Sequence, residues 1–139
     1  MTVSQIKNGL LSTLTETFPN YPAKGEGISQ GLDPPVFYVA ATSARQSKEL
    51  GCRRRRTAEF DVQYLPADST TKNDALYEMG ETLLELFEYV ETVDGTLRPV
   101  SLGYEIEDEV LHCRLSFQWF VRLASETPAT IANIELEVT

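Results

Sequence analysis

The sequence predicts a single α+β domain, an antiparallel sheet of two hairpins with two helices packed on one face, in the order α-β-β-α-β-β. Three observations carry that reading. Two stretches place apolar residues every three or four positions, others alternate apolar and polar residues, and short polar turns join the alternating stretches in pairs. At 139 residues the chain is long enough for one hydrophobic core and short for two, so residues 1–139 are read as one domain. The hairpins exclude a doubly wound parallel sheet, which needs long crossovers between its strands.

The first helix is predicted over residues 2 to 18: Val3, Ile6, Leu10, Leu14 and Phe18 share one stripe, Thr2 and Gln5 have capping-box spacing, and Pro19 ends it. Residues 19 to 35, "PNYPAKGEGISQGLDPP", are dense in glycine and proline without either periodicity, which predicts a long loop. "VFYVAATSAR" and "CRRRRTAEFDVQYL" then form a hairpin across the turn "QSKELG". In its second strand Thr57, Glu59, Asp61 and Gln63 face one way, and Ala58, Phe60, Val62 and Tyr64 the other.

"KNDALYEMGETLLELFEYV" is an amphipathic helix with Leu76, Met79, Leu83, Phe87 and Val90 on the core stripe; Glu78, Glu81, Glu85 and Glu88 lie away from it. Thr71 and Asp74 have the spacing of its capping box. After "ETVDGTLRP", Val100, Leu102, Tyr104 and Ile106 alternate with polar residues. The chain turns at Asp108 and Glu109 into "VLHCRLSFQWFVRL", whose apolar face is Leu111, Cys113, Leu115, Phe117, Trp119 and Val121. Residues 125 to 139 form a C-terminal extension in which Ile134, Leu136 and Val138 predict a short edge strand.

Composition narrows the function classes. The formal net charge of −9 disfavours a protein whose main task is to grip a phosphate backbone. No apolar run approaches the roughly 20 residues of a membrane span, and the N-terminus has no signal-peptide pattern, which predicts a cytoplasmic protein with no membrane partner. Cys52 and Cys113 stand far apart without CxxC spacing, so reduced thiols are expected rather than a zinc site.

Nothing in the pattern assembles a catalytic centre, and no enzyme, cofactor or metal is predicted. His112 is the only histidine and reads as a strand residue, with Cys113 on the opposite face. "GEGISQG" has neither a preceding strand nor a following helix, and its spacing is wrong for a dinucleotide loop. Glu105, Glu107, Asp108 and Glu109 read as a solvated hairpin tip in preference to a cation site.

The informative feature is the run Arg53, Arg54, Arg55 and Arg56 in so acidic a chain. On a regular strand Arg53 and Arg55 join the polar face, while Arg54 and Arg56 continue the apolar one, so the four do not make one patch. Three readings stand: ion pairing between subunits, a solvated hairpin tip, and a DNA contact. Pairing is favoured, because basic and acidic regions on one subunit suit head-to-tail contacts that close into rings.

"ISQGLDPPVFYV", "FDVQYLP" and the helix "DALYEMGETLLELFE" resemble the small tail terminator family proteins of prophages and phage-like contractile particles of Gram-positive bacteria. The resemblance covers about residues 3 to 124, and the element order is similar to the α/β fold of tail terminators. It implies a structural protein of which about six copies form a ring on the last disc of the tail tube. That ring would end tube and sheath polymerisation and offer a docking face to the neck, head or collar. The implied partners are further copies, the tail tube protein, the sheath protein and a neck or connector protein, with DNA only a passing strand in the channel. Assembly would take place in the host cytoplasm. By matching segments, the loop holding Gly31, Asp33, Pro34 and Pro35, and the hairpin holding Arg53 to Arg56, are expected at ring or tube contacts; no catalytic residue transfers. The alternatives are a head–tail connector or tail completion protein of the same particle and, from another class, a small DNA-binding module.

Overall fold

The computed structural model describes residues 1–25, 34–67 and 72–123. In these, two helices, α1 (Val3–Thr17) and α2 (Lys72–Leu86), accompany seven strands. The strands are β1 (Ala23–Gly25), β2 (Val36–Lys48), β3 (Arg53–Leu65), β4 (Val90–Thr92), β5 (Gly95–Leu97), β6 (Ser101–Glu107) and β7 (Val110–Arg122). Five of them form one sheet in the order β1-β2-β3-β7-β6, and β4 pairs with β5 in a separate ribbon.

The domain is α+β with two helices, but the sheet is mixed and the element order is longer than α-β-β-α-β-β. Inside the stretch read as loop, β1 runs parallel to β2, from Ala23 opposite Phe37 to Gly25 opposite Val39. Three residues are too few to show a period; the free edge of β2 recruits them, with the Phe37 N–H donating to the Pro22 carbonyl at 2.9 Å. The ribbon of β4 and β5 lies in "ETVDGTLRP", a stretch to which the sequence reading assigns no strand. Its Asp94-Gly95 pair is a hairpin signal, Gly95 has φ 130°, and the Thr92 hydroxyl donates to the Gly95 carbonyl at 2.8 Å. The helix read to residue 90 ends at Leu86 because Val90 leaves to start β4.

α1 begins as predicted. The Thr2 hydroxyl accepts from the Gln5 N–H at 3.2 Å, and the Gln5 side chain accepts from the Thr2 N–H at 2.8 Å. Replacing Thr2 with alanine removes half of this box, so thermal melts of the variant should show a loss of about 1 kcal/mol.

Both helices lie on one face of the sheet. Ile6, Leu10 and Leu14 of α1, with Leu76 and Leu83 of α2, are fully buried against Phe37, Phe60, Val62, Leu115 and Phe117. Phe60 and Phe117, on neighbouring strands, meet edge to face with ring centroids 5.8 Å apart. Cys113 and Trp119 are buried on the predicted face of β7. Val100, read as core-facing, is 61% exposed. It precedes β6, and its N–H closes the ladder by donating to the Ser116 carbonyl at 2.7 Å.

One irregularity positions the functional hairpin. The β2–β3 register shifts between Ala41 and Ser43, leaving Thr42 as an extra residue, and its hydroxyl donates to the Glu59 carbonyl at 3.2 Å. A bulge changes which side of the sheet each later residue faces. Beyond it Arg45 and Ser47 share the outer face with Thr57 and Arg55, while Ala44 and Gln46 share the inner face with Ala58 and Arg56.

Candidate functional site: the arginine hairpin

The β2–β3 hairpin is 13 residues long on each strand, and its last third extends past the buried core. Residues 44 to 48 are exposed, as are Arg53 and Arg55, while Arg54 and Arg56 are half-buried. The turn holds Gly51 at φ 64°, with the Glu49 N–H donating to the Arg53 carbonyl at 3.1 Å. Leu50 at its tip is 92% exposed.

Each arginine is held differently. Arg54 folds back on the turn and donates to the carbonyls of Gly51 and Arg53, both at 2.9 Å. Arg56 donates through Nε to the Gln46 side chain at 2.7 Å. Arg55 donates to the Ser47 hydroxyl at 3.2 Å and lies 3.7 Å from Glu49. Arg53 stacks over Phe120, its guanidinium carbon 3.9 Å from the ring centroid. Among the described residues Arg55 alone of the four has a carboxylate partner, and an exposed pair of that kind contributes little.

The strand pairing gathers more basic charge on the outer face. Arg53 is opposite Arg122, and Arg55 is opposite Phe120, which is 45% exposed. Arg53, Arg55 and Arg122 thus flank an exposed aromatic ring, and Arg45, opposite Thr57, shares that face farther along β2. Reading the run alone could not find this patch, because Phe120 and Arg122 come from the far end of β7 and Arg45 is turned outward by the bulge.

Of the other residues expected at contacts, Pro34 is exposed and Pro35 half-buried at the start of β2, at the end of the sheet remote from the hairpin tip. Gly31 and Asp33 lie outside the described residues. So do Thr71 of the expected capping box and Ile134, Leu136 and Val138 of the expected edge strand.

His112 and Asp61 form the most buried polar pair. Both project to the outer face, His112 Nδ1 lies 3.0 Å from Asp61 Oδ2, and the Gln63 amide donates to the same oxygen at 3.3 Å. Asp61 is only 7% exposed, although alternation alone reads it as a solvent-facing residue. The other His112 nitrogen lies 3.9 Å from Glu107, and Cys113 is on the opposite side of the strand.

Cys113 is a core residue with a titration of its own. Burial first, and the neighbouring Asp61 second, push its thiol up to about 12. A group whose folded pKa is raised stabilises the fold fully below its unfolded pKa and loses that contribution as pH climbs toward the folded value. Stability should therefore fall from the ordinary thiol range near pH 8.5 upward. Tyr64, raised by burial and by Tyr21, adds a loss of the same sign above its own range. Urea unfolding across the alkaline range should show this decline, with a smaller slope in Cys113→Ala. At pH 8, iodoacetamide should label Cys52 in the native protein and Cys113 only after unfolding.

A family profile described as phage tail terminator protein matches residues 5–129, which takes in all but the first two residues of α1, all of α2 and all seven strands. The chain belongs to the phage tail terminator family. This tail terminator is accordingly a phage tail protein of a structural family, one that implies contact with other tail components. No curated protein matches the chain by sequence. A solved structure resembles it at 13% identity, over 88% of this chain and 94% of the other, with a TM-score of 0.44, a likeness too distant to carry an argument. Among the described residues of the tail terminator, no helix is long and apolar enough to cross a membrane.

Proposed function

We propose that this protein caps the tail tube as an oligomeric ring of about six copies, ends tube and sheath polymerisation, and presents a docking face for the neck, head or collar. It assembles in the host cytoplasm on the last disc of the tube, and DNA passes through the ring without being held. Membership of the tail terminator family over residues 5–129 is the observation that carries this reading. The projecting hairpin supports it: an exposed aromatic ring among arginines, three of the run without a carboxylate in their own described surroundings, is a surface that lacks its complement.

In this reading Arg53 to Arg56, with the segment from Gly31 through Asp33 to Pro34 and Pro35, lie at ring or tube contacts. Reversing Arg53 and Arg55 to glutamate leaves the monomer folded, because both side chains are exposed, and weakens ring formation. The check is a circular dichroism melt beside sedimentation velocity. An unaltered melt with loss of the ring is expected; an unaltered ring would sink the role given to the arginines.

The test of the function itself is negative-stain electron microscopy of purified protein mixed with polymerised tail tubes. Density at one end of the tubes, and arrest of further growth there, is expected. Protein that stays off the tube ends and binds an isolated connector would instead favour the neck role.

A further inference from the structure

Two charged surfaces of this chain lie on opposite sides of the molecule. One is the outer face of the sheet at the hairpin, where Arg53, Arg55 and Arg122 flank Phe120. The other is the outward face of α2, which packs on the inner side of the sheet through contacts with β6 and β7. Its glutamates Glu78, Glu81 and Glu85 are exposed, as is Glu88 two residues past its end. Two exposed tyrosines, Tyr77 and Tyr89, flank them.

The partners available within the chain do not neutralise either surface. Glu81 accepts from the Tyr104 hydroxyl at 2.9 Å and Glu88 meets Arg98 at 3.3 Å. Glu78 and Glu85, seven residues apart on one stripe of the helix, make no ion pair among the described residues. Among the described residues the arginines of the basic side likewise make one ion pair, between Arg55 and Glu49 at 3.7 Å. Each surface would repel a second copy of itself and attract the other.

We infer that the outer face of the hairpin docks on the α2 face of a second copy of this chain, Arg53 and Arg55 pairing with Glu78 and Glu85, and the Arg53–Phe120 stack meeting the tyrosines. The inference rests on the ring reading above and deepens it by naming both halves of the contact. Arginine and exposed aromatic rings are the residue types enriched at the centres of interfaces. Because the two patches differ and lie back to front, one subunit's contact cannot be satisfied by a two-fold dimer. It leaves one patch of each type open and propagates head to tail until rotation closes it. The chain thus builds rings from one repeated contact and has no self-complementary patch at which to stop at two.

The experiment is a charge swap. Arg53→Glu with Arg55→Glu disables one surface, Glu78→Arg with Glu85→Arg disables the other, and a fourfold variant carries both changes. Each is checked for folding by circular dichroism, with the milder Arg53→Gln, Arg55→Gln pair held in reserve should a reversal unfold. Each twofold variant alone is expected to lose self-association by roughly a hundredfold. The fourfold variant regains it. An equimolar mixture of the two twofold variants is expected to regain assembly in sedimentation velocity with the two variants alternating, since the native contact forms on one side of each subunit and the swapped contact on the other.

A folded fourfold variant that stays as defective as its parents, or a mixture that does not regain assembly, would overturn the inference. So would either twofold variant assembling normally. Failure of the ring reading is separately visible: wild-type protein that forms a head-to-tail species yet leaves tube growth unaffected retains the contact and loses the function.

Discussion

Phe117→Ala is expected to cost about 3–5 kcal/mol, the range for truncating a buried phenylalanine. Phe117 is fully buried on the inner face of β7, under the helices and beside β3. Its loss removes the edge-to-face contact with Phe60 at 5.8 Å as well as the apolar area, and Ala58, directly opposite on β3, is too small to fill the space. Because native domains are only about 5–15 kcal/mol more stable than their unfolded chains, urea denaturation should show a midpoint reduced by about a fifth or more. A midpoint within error of the wild type would mean that β7 is not the core strand described here.

Gly9→Val is expected to cost about 3 kcal/mol, the upper range for forcing extra atoms into a packed site. Gly9 lies where α1 crosses β4, and a Cβ there would stand 2.6 Å from the Glu91 carbonyl oxygen and 3.1 Å from a Thr92 methyl. The first of these is backbone, fixed in the β4–β5 ribbon, so the helix itself would have to lift. Gly103 supplies the control. A Cβ added there meets nothing within 4 Å, and Gly103→Ala should be neutral or mildly stabilising, since glycine weakens a strand interior. Equal effects at the two positions in thermal melts would contradict the packing of α1 on β4.

These two sites mark what the sequence made legible. Phe117 stands in a stretch whose alternation runs unbroken from Leu111 to Trp119, and that period is enough to name its face without any tertiary information. Gly9 sits in a helix whose period is equally clear, yet its neighbour is a carbonyl in a ribbon more than 80 residues away, which no local pattern contains. The same divide separates the other elements. The capping box at Thr2 and Gln5 is written in four consecutive residues and was read correctly. β1 exists because β2 has an unpaired edge, and three residues with no period of their own cannot announce that.

The candidate site divides in the same way. Alternation alone places Arg53 and Arg55 on one side of the hairpin and Arg54 and Arg56 on the other. It does not reveal that Arg54 fastens the turn, that Arg56 is tied to Gln46, or that Phe120 and Arg122 complete the outer patch. The bulge at Thr42 is the reason Arg45 joins them, and a single extra residue leaves no signature in composition. Asp61 is the opposite case. Its neighbours Glu59 and Gln63 suggest a wet face, whereas the structure buries it against His112.

The central claim is that this tail terminator stops growth of the tail tube. It is tested most directly by deleting the gene in the producing strain and measuring tube lengths in electron micrographs of the released particles. Overlong tubes of widely varying length, restored to the normal length by wild-type protein and not by Arg53→Glu with Arg55→Glu, are the predicted result. Tubes of normal length that lack only a head or collar would contradict the claim and place the protein in the neck.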